Sequence, residues 1–120
     1  MGTPKPGQPA RGTSSGRPVM VLLDLLGRRW TLRVLWELKD GPFSFRALRA
    51  RCDDLSPSVL NARLRELRET DIVEAVEGEG YALTAHGQAL LQKLLPLDQW
   101  AKSWARRIAR KDANQASEDR

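Results

Sequence analysis

Arginine is the side chain whose number and spacing in this sequence most clearly suggest chemistry. Residues 43–70 contain six arginines and four acids, so this stretch has a net charge of 6 − 4 = +2. A guanidinium group offers several donors in one plane and pairs well with phosphate or with the edge of guanine. The whole chain has a net charge of +5. These charges favour a polyanion as the partner.

The remaining reactive side chains do not indicate enzymatic or metal-binding chemistry. The chain has one cysteine, Cys52, and one histidine, His86, which are too few for a zinc site built from these residues. We find no nucleophile paired with a base, no pair of carboxylates and no phosphate-binding loop. The sequence therefore predicts no enzyme, no metal and no cofactor. Cys52 shares an apolar helix face with Phe45 and Leu48, so we expect it to be a small core residue.

Nothing in the sequence suggests a membrane partner. The longest apolar run, residues 19–26, contains Asp24 and is too short to cross a bilayer. A single cysteine gives no sign of an oxidising compartment. We therefore expect a cytoplasmic protein.

The hydrophobic pattern predicts a mainly α-helical chain with one small β-hairpin. Helices are expected over residues 19–26, 30–39 and 45–51, from the pair Ser56 and Pro57 onward, over 84–95, and over 97–111 after a break at Pro96. Residues 72–76 and 81–83 alternate and are rich in β-branched or aromatic side chains, with turn residues between them. This order predicts a winged helix-turn-helix with additional helices at both ends.

The third and fourth helices form the predicted helix-turn-helix. Ser56 is a preferred N-cap, and Pro57 suits the first helical position. Leucines at 60, 64 and 67 mark the buried side of the fourth helix, so its opposite side carries Ser58, Asn61, Ala62, Arg65 and Glu69. Asn61 can pair with adenine and Arg65 with guanine, whereas Arg63 and Arg68 on the flanks suit phosphate.

Composition divides the chain into three parts. Residues 1–18 are rich in Pro, Gly and Ser and carry basic side chains without an acid, which predicts a disordered basic tail. This tail is either solvated or an arm that touches DNA. Residues 19–111 form the predicted domain, and residues 112–120 are expected to be a frayed polar end.

Both terminal helices have more apolar surface than a small body can cover, which predicts a contact with a second copy of the chain. The residues expected in this homodimer interface are Val19, Leu22, Leu23, Leu26, Leu97, Trp100, Trp104 and Ile108.

Four segments in order resemble the HxlR family of winged-helix regulators: LLGRRWTLRVLWEL, GPFSFRALR, LSPSVLNARLRELRE and YALTAHGQALL. The resemblance covers roughly residues 19–105. It implies a sequence-specific transcriptional regulator of bacterial type, which we expect to be a repressor. It further implies a homodimer, joined through its first and last helices, on a palindromic operator in double-stranded DNA. A small-molecule effector is compatible with the resemblance but is not identified by the sequence.

The chain departs from this family at two positions and in the wing. Many relatives have a redox-sensing cysteine followed by proline before the first helix, where this chain has Arg17. Ser58 stands where relatives often have lysine. The wing is short and carries Glu74, Glu77 and Glu79, so we do not expect it to approach phosphates.

The residues expected to contact DNA are Arg46, Ser56, Ser58, Asn61, Ala62, Arg63, Arg65 and Arg68. The alternative is that these residues form only a solvated helix face, in a winged-helix protein-interaction module without useful DNA affinity. The basic side chains of the last helix either complement its dipole or contact the DNA backbone. Trp30 and Trp36 are expected in the core, although Trp30 could instead line an effector pocket.

Overall fold

The structure is a computed structural model and describes residues 2, 3, 6 and 16–119. These residues form a mainly helical winged helix-turn-helix, as predicted. The elements are α1 (Pro18–Leu26), α2 (Thr31–Leu38), α3 (Phe45–Arg51), α4 (Pro57–Glu69), β1 (Val73–Val76), β2 (Gly80–Leu83), α5 (Ala85–Leu94) and α6 (Pro96–Glu118).

One apolar core holds the body together. Leu35 and Leu38 of α2, Leu48 of α3, and Leu60 and Leu67 of α4 are at most 2% exposed. Burying side chains of this size contributes roughly 1.5–3 kcal/mol each. The body is therefore a rigid platform that fixes α3 and α4 relative to each other.

Three side-chain caps start the helices where the sequence predicts. The hydroxyl of Ser44 accepts from the backbone N–H of Ala47 at 3.1 Å, and Ser56 accepts from Val59 at 3.3 Å. Thr84 accepts from Gly87 at 2.9 Å. Each cap satisfies a donor that the helix itself leaves unpaired.

The wing is a two-stranded antiparallel sheet in which Val73 pairs with Leu83 and Val76 with Gly80. Gly80 has φ 101°, and a Cβ there would lie 2.2 Å from the carbonyl oxygen of Phe43. Tyr81 next to it exchanges two backbone hydrogen bonds with Phe43. The hairpin is therefore attached to the segment that precedes α3, and only glycine permits this close approach.

Two predicted boundaries are wrong. Pro18 belongs to α1 and not to the tail, because proline suits the first position of a helix. α6 continues to Glu118, beyond residue 111, where we expected the chain to fray. Ala113, Gln115, Ala116 and Glu118 have good helix propensity and extend it without an apolar stripe. The rest of the predicted tail, except Gly2, Thr3, Pro6, Gly16 and Arg17, lies outside the described residues.

α6 projects away from the body. None of its residues is buried. The Cα radius of gyration is 17.6 Å, whereas a compact chain of this length would have about 13.6 Å. No helix among the described residues is both long and apolar enough to span a membrane.

Candidate DNA interface

The turn between α3 and α4 is fixed by Arg49. Its Nε donates to the carbonyl oxygen of Leu55 at 2.7 Å, and its Nη2 donates to that of Asp54 at 3.3 Å. Asp53 and Asp54 both have positive φ values, of 56° and 55°. Aspartate tolerates this left-handed conformation better than most residues. Arg49 therefore stabilises the turn that sets the angle of α4.

The outer side of α4 presents the predicted polar face. Ser58, Asn61 and Arg65 are exposed, and Ala62 is half-buried between them. The hydroxyls of Ser56 and Ser58 lie 3.3 Å apart at the start of the helix. Buried leucines on the opposite side anchor this helix in the core. The arrangement is that of a recognition helix, which is apolar behind and rich in donors in front.

Arg65 is the most prominent cation of this face. Its side chain is 63% exposed, and its Nε lies 4.0 Å from a carboxylate oxygen of Glu69. An exposed pair at that distance contributes little and is easily exchanged for another anion. Arg46 and Arg68 are also exposed, and neither has a side-chain partner within residues 16–119. These three arginines are available to an external anion.

Arg63 is less exposed than its position in the sequence suggests. Its side chain is 19% exposed, and its Nε lies 3.1 Å from the Oε1 of Glu66. The angle between these two groups does not fit a hydrogen bond. The Nε of Arg63 and the Oε1 of Glu66 therefore have no hydrogen-bond partner among the described residues. Glu66 is 3% exposed and also binds Arg28. The guanidinium of Arg63 is therefore held by an internal contact, which makes it less available to phosphate than we expected.

The buried Glu66 and its partner Arg28 were not singled out from the sequence. An acid three residues after an arginine usually indicates an exposed pair on a helix. The only available signal was that Arg63 and Glu66 lie beside the leucine stripe of α4. The cluster joins α4 to Arg28 in the loop between α1 and α2, and Arg28 also lies 3.8 Å from Asp24 of α1.

Arg51 is also occupied within the protein. It pairs with Glu37 at 3.0 Å and Asp40 at 3.2 Å, and its guanidinium lies 4.5 Å from the centre of the Phe43 ring. Glu37 also accepts a hydrogen bond from Arg33, which raises the pKa of Arg33. The arginines of the helix-turn-helix thus divide into an internal set, Arg49, Arg51 and Arg63, and an external set, Arg46, Arg65 and Arg68.

The wing has the opposite charge. Glu74, Glu77 and Glu79 are exposed, and residues 71–83 contain no basic side chain. Carboxylates near phosphates are repelled, and the wing is therefore unsuited to a backbone contact.

The other reactive side chains do not form a second site. Cys52 is completely buried, as predicted, and this burial raises the pKa of its thiol. His86 is exposed, as expected. Trp30 and Trp36 are only half-buried, so they are at the edge of the core. No group of metal-binding side chains occurs in the part of the chain that the structure describes.

A continuous apolar stripe on α6 is uncovered. Leu97, Trp100, Trp104 and Ile108 are 57%, 63%, 53% and 40% exposed, and the two indole rings stack at 5.8 Å. On α1, Val19 and Leu23 are 58% and 55% exposed. Two residues predicted for the same interface are placed otherwise. Leu26 lies in the core at 9% exposure, because it packs on the body, and Leu22 is half-buried.

Comparison with known proteins identifies the family. The model of the HxlR-like helix-turn-helix matches residues 25–109. YdeP of Bacillus subtilis, an uncharacterized HTH-type transcriptional regulator, is 27% identical over 88% of this chain and 87% of its own length. YodB of the same organism, an HTH-type transcriptional regulator, is 35% identical over 64% of this chain and 74% of its own length.

Solved structures agree with this comparison. A possible HxlR family transcriptional factor from Thermoplasma volcanium has a TM-score of 0.65 at 29% identity, covering 74% of this chain and 85% of its own. Quinone-bound YodB has a TM-score of 0.65 at 33% identity, covering 72% of this chain and 97% of its own. These relatives are transcriptional regulators and not enzymes. The chain therefore belongs to the HxlR-like helix-turn-helix family of transcriptional regulators.

Proposed function

We propose that this regulator binds a specific DNA sequence through the exposed face of α4. The observation that carries the proposal is that Ser58, Asn61 and Arg65 are uncovered on a helix whose other side is anchored in the core. An α-helix fits the major groove, where amide and guanidinium groups distinguish base pairs. The proposed contacts are Arg46, Ser56, Ser58, Asn61, Ala62, Arg63, Arg65 and Arg68, of which Arg63 has the strongest internal contacts.

Footprinting on the DNA upstream of the protein's own gene tests this proposal. We expect a protected segment, and protection should be lost in the double variant Asn61→Ala, Arg65→Ala, because amide and guanidinium groups read base edges. A matched variant outside the helix-turn-helix, Lys93→Gln on the exposed surface of α5, should keep the protection. Protection that survives the loss of Asn61 and Arg65 would contradict the assignment of α4.

We propose further that the active form is a homodimer. The stripe on α6 exposes two tryptophans, and soluble monomers rarely leave such a surface uncovered. The extended shape of the chain supports the same conclusion. A two-fold axis would bury the stripes of both copies and present two recognition helices to major grooves about 34 Å apart. The operator is then expected to be palindromic.

Repression is the regulatory outcome that we propose. The described residues form a winged helix-turn-helix body and an uncovered helix, and such a unit, bound to a promoter, would block it by occupying it. Transcription in vitro from the protein's own promoter should decrease as the protein is added. An increase would show activation instead.

The effector of this regulator is proposed not to act through a thiol. Structures of the relative YodB are described as reduced, diamide-treated and quinone-bound. In the present chain the position before the first helix is Arg17, and the lone Cys52 is buried with a raised pKa. A protonated, inaccessible thiol reacts slowly with oxidants and electrophiles. If a small molecule regulates this protein, we expect it to bind without reacting with cysteine.

A second candidate function is a protein-interaction module without useful DNA affinity. The acidic wing favours it, because Glu74, Glu77 and Glu79 are exposed and would repel a phosphate backbone. The two functions differ in their behaviour toward a duplex, which only the first binds in a salt-dependent manner.

A further inference from the structure

A second group of arginines lies beside the recognition helix, on the loop between α1 and α2. An open cleft of about 450 Å³ separates this loop from α4. We call it the loop cleft, and its lining residues are Gly27, Arg28, Arg29, Ala62, Arg63, Arg65 and Glu66.

The charges around the loop cleft do not balance. Four arginines line it, with one acid, Glu66, among the lining residues. Two further acids lie close by, Asp24 at 3.8 Å from Arg28 and Glu69 at 4.0 Å from Arg65. Among the described residues, the cleft and these two acids therefore carry a net charge of 4 − 3 = +1. This excess of positive charge favours an anion over a cation in the cleft.

Arg29 is the residue that makes this cleft a candidate site. The side chains of Arg28 and Arg63 are only 12% and 19% exposed, and both are held by Glu66. Arg29 is exposed, and its guanidinium has no partner among the described residues. Its carbonyl oxygen accepts a hydrogen bond from Arg63 at 3.4 Å, which ties its backbone to α4. Arg29 therefore combines a fixed backbone with an unpaired cation.

The loop cleft opens onto the proposed DNA face. Ala62 and Arg65 belong to the outer side of α4 and also line the cleft. When a helix enters the major groove, a phosphate backbone runs along each of its flanks. The flank of α4 that faces residues 27–30 would meet one of these backbones. The acidic wing is unsuited to such a contact, whereas the arginines of the body can supply it.

We propose that the loop cleft binds a backbone phosphate of the DNA, with Arg29 as the principal donor. Glu66 acts as a positioning residue, because it holds Arg28 and Arg63 against the wall of the cleft. This inference rests on the proposed function. The sequence alone does not single out Arg29, because its neighbours in the chain do not belong to the helix-turn-helix.

The test is the salt dependence of binding to a duplex of random sequence, measured by fluorescence anisotropy for three variants. Arg29→Gln removes the donor, Arg29→Lys keeps the charge, and Lys93→Gln removes one exposed charge from α5. Each phosphate contact contributes about 0.9 to the slope of log affinity against log salt. We therefore expect Arg29→Gln to flatten the slope by about 0.9 per subunit and to lower affinity at least about tenfold at low salt.

Arg29→Lys should keep most of the slope, and Lys93→Gln should behave as wild type. Unfolding temperatures should agree among all four proteins, because both positions are exposed. A wild-type slope in Arg29→Gln, or an equal change in Lys93→Gln, would overturn the phosphate site while leaving α4 as the reading helix. If the wild-type protein binds no duplex at any salt concentration, the proposed function itself fails.

Discussion

The helices α4 and α6 both present uncovered surfaces, and the chemistry of these surfaces is different. α4 is anchored by buried leucines and presents Ser58, Asn61 and Arg65 outward. α6 has no buried residue and presents an apolar stripe with two tryptophans.

The difference indicates which kind of partner each helix requires. A polar face is well solvated, so α4 needs no cover in the isolated chain, and under the proposed function it would exchange water and counterions for DNA. An apolar face costs about 25 cal/mol for each Å² left in water, so α6 is incomplete until another apolar surface covers it. The face of α4 therefore suits a polar partner such as DNA. The stripe on α6 suits an apolar partner, and we propose a second copy of the chain.

The largest effect is expected from removing the stripe. Trp100→Ala with Trp104→Ala should raise the dimer dissociation constant by at least about 100-fold, because tryptophans in the centre of an interface commonly contribute about 2 kcal/mol each. DNA affinity should fall with it, although neither residue belongs to the DNA face. Sedimentation and anisotropy measure the two effects on one sample.

The control for this pair is Gln99→Ala, on the side of α6 away from the stripe. It should leave both the dimer and DNA binding unchanged. A wild-type protein that sediments as a monomer at micromolar concentration and still binds a palindrome tightly would refute the role of α6.

The second effect concerns the buried side of α4. Glu66 is 3% exposed, and both Arg28 and Arg63 face its carboxylate. The substitution Glu66→Gln removes this charge from both arginines. Breaking a buried pair by removing one partner costs roughly 3 kcal/mol. We expect the unfolding free energy in urea to fall by that amount. An unchanged free energy would show that Glu66 does not hold the loop between α1 and α2 to α4.

The sequence predicted local features of this fold better than distant ones. Two helices begin where we expected, α4 at Ser56 and Pro57 and α5 at Thr84, because a cap depends only on neighbouring residues. The internal role of Glu66 depends on Arg28, which lies 38 residues away in the chain. We did not predict that α6 extends to Glu118, because residues 112–118 show no periodic pattern of apolar side chains.

The same limit applies to the candidate site. The outward side of α4 follows from helical spacing, and its exposure agrees with the prediction. The availability of each arginine does not follow, because Arg49, Arg51 and Arg63 are occupied by groups that meet them only in the folded chain.

A third effect distinguishes base reading from phosphate binding on α4. Arg65→Ala should cost roughly 1–3 kcal/mol at one operator position and relax specificity there. Arg63→Ala should weaken all sequences alike if it contacts phosphate, and should lower only stability if its contact with Glu66 dominates. Binding to specific and random duplexes separates these outcomes. Identical behaviour of the two variants would contradict the division into front and flank.

The smallest effect is expected at the thiol. Cys52→Ala should leave DNA binding unchanged with and without mild oxidant, because the wild-type thiol is buried and its pKa is raised. The substitution should lower stability by about 1 kcal/mol through a small cavity. A wild-type protein that releases DNA on oxidation, together with a resistant variant, would make Cys52 a sensor.

The most direct test of DNA binding through an arginine-bearing helix face is a duplex titration of the wild-type protein at low and at physiological salt. Several arginine contacts per subunit predict that affinity falls by about two or more orders of magnitude between 50 and 200 mM salt. Affinity for the upstream DNA should exceed that for a random duplex at both concentrations. An affinity that is the same at both salt concentrations, or no binding at either, would contradict the account.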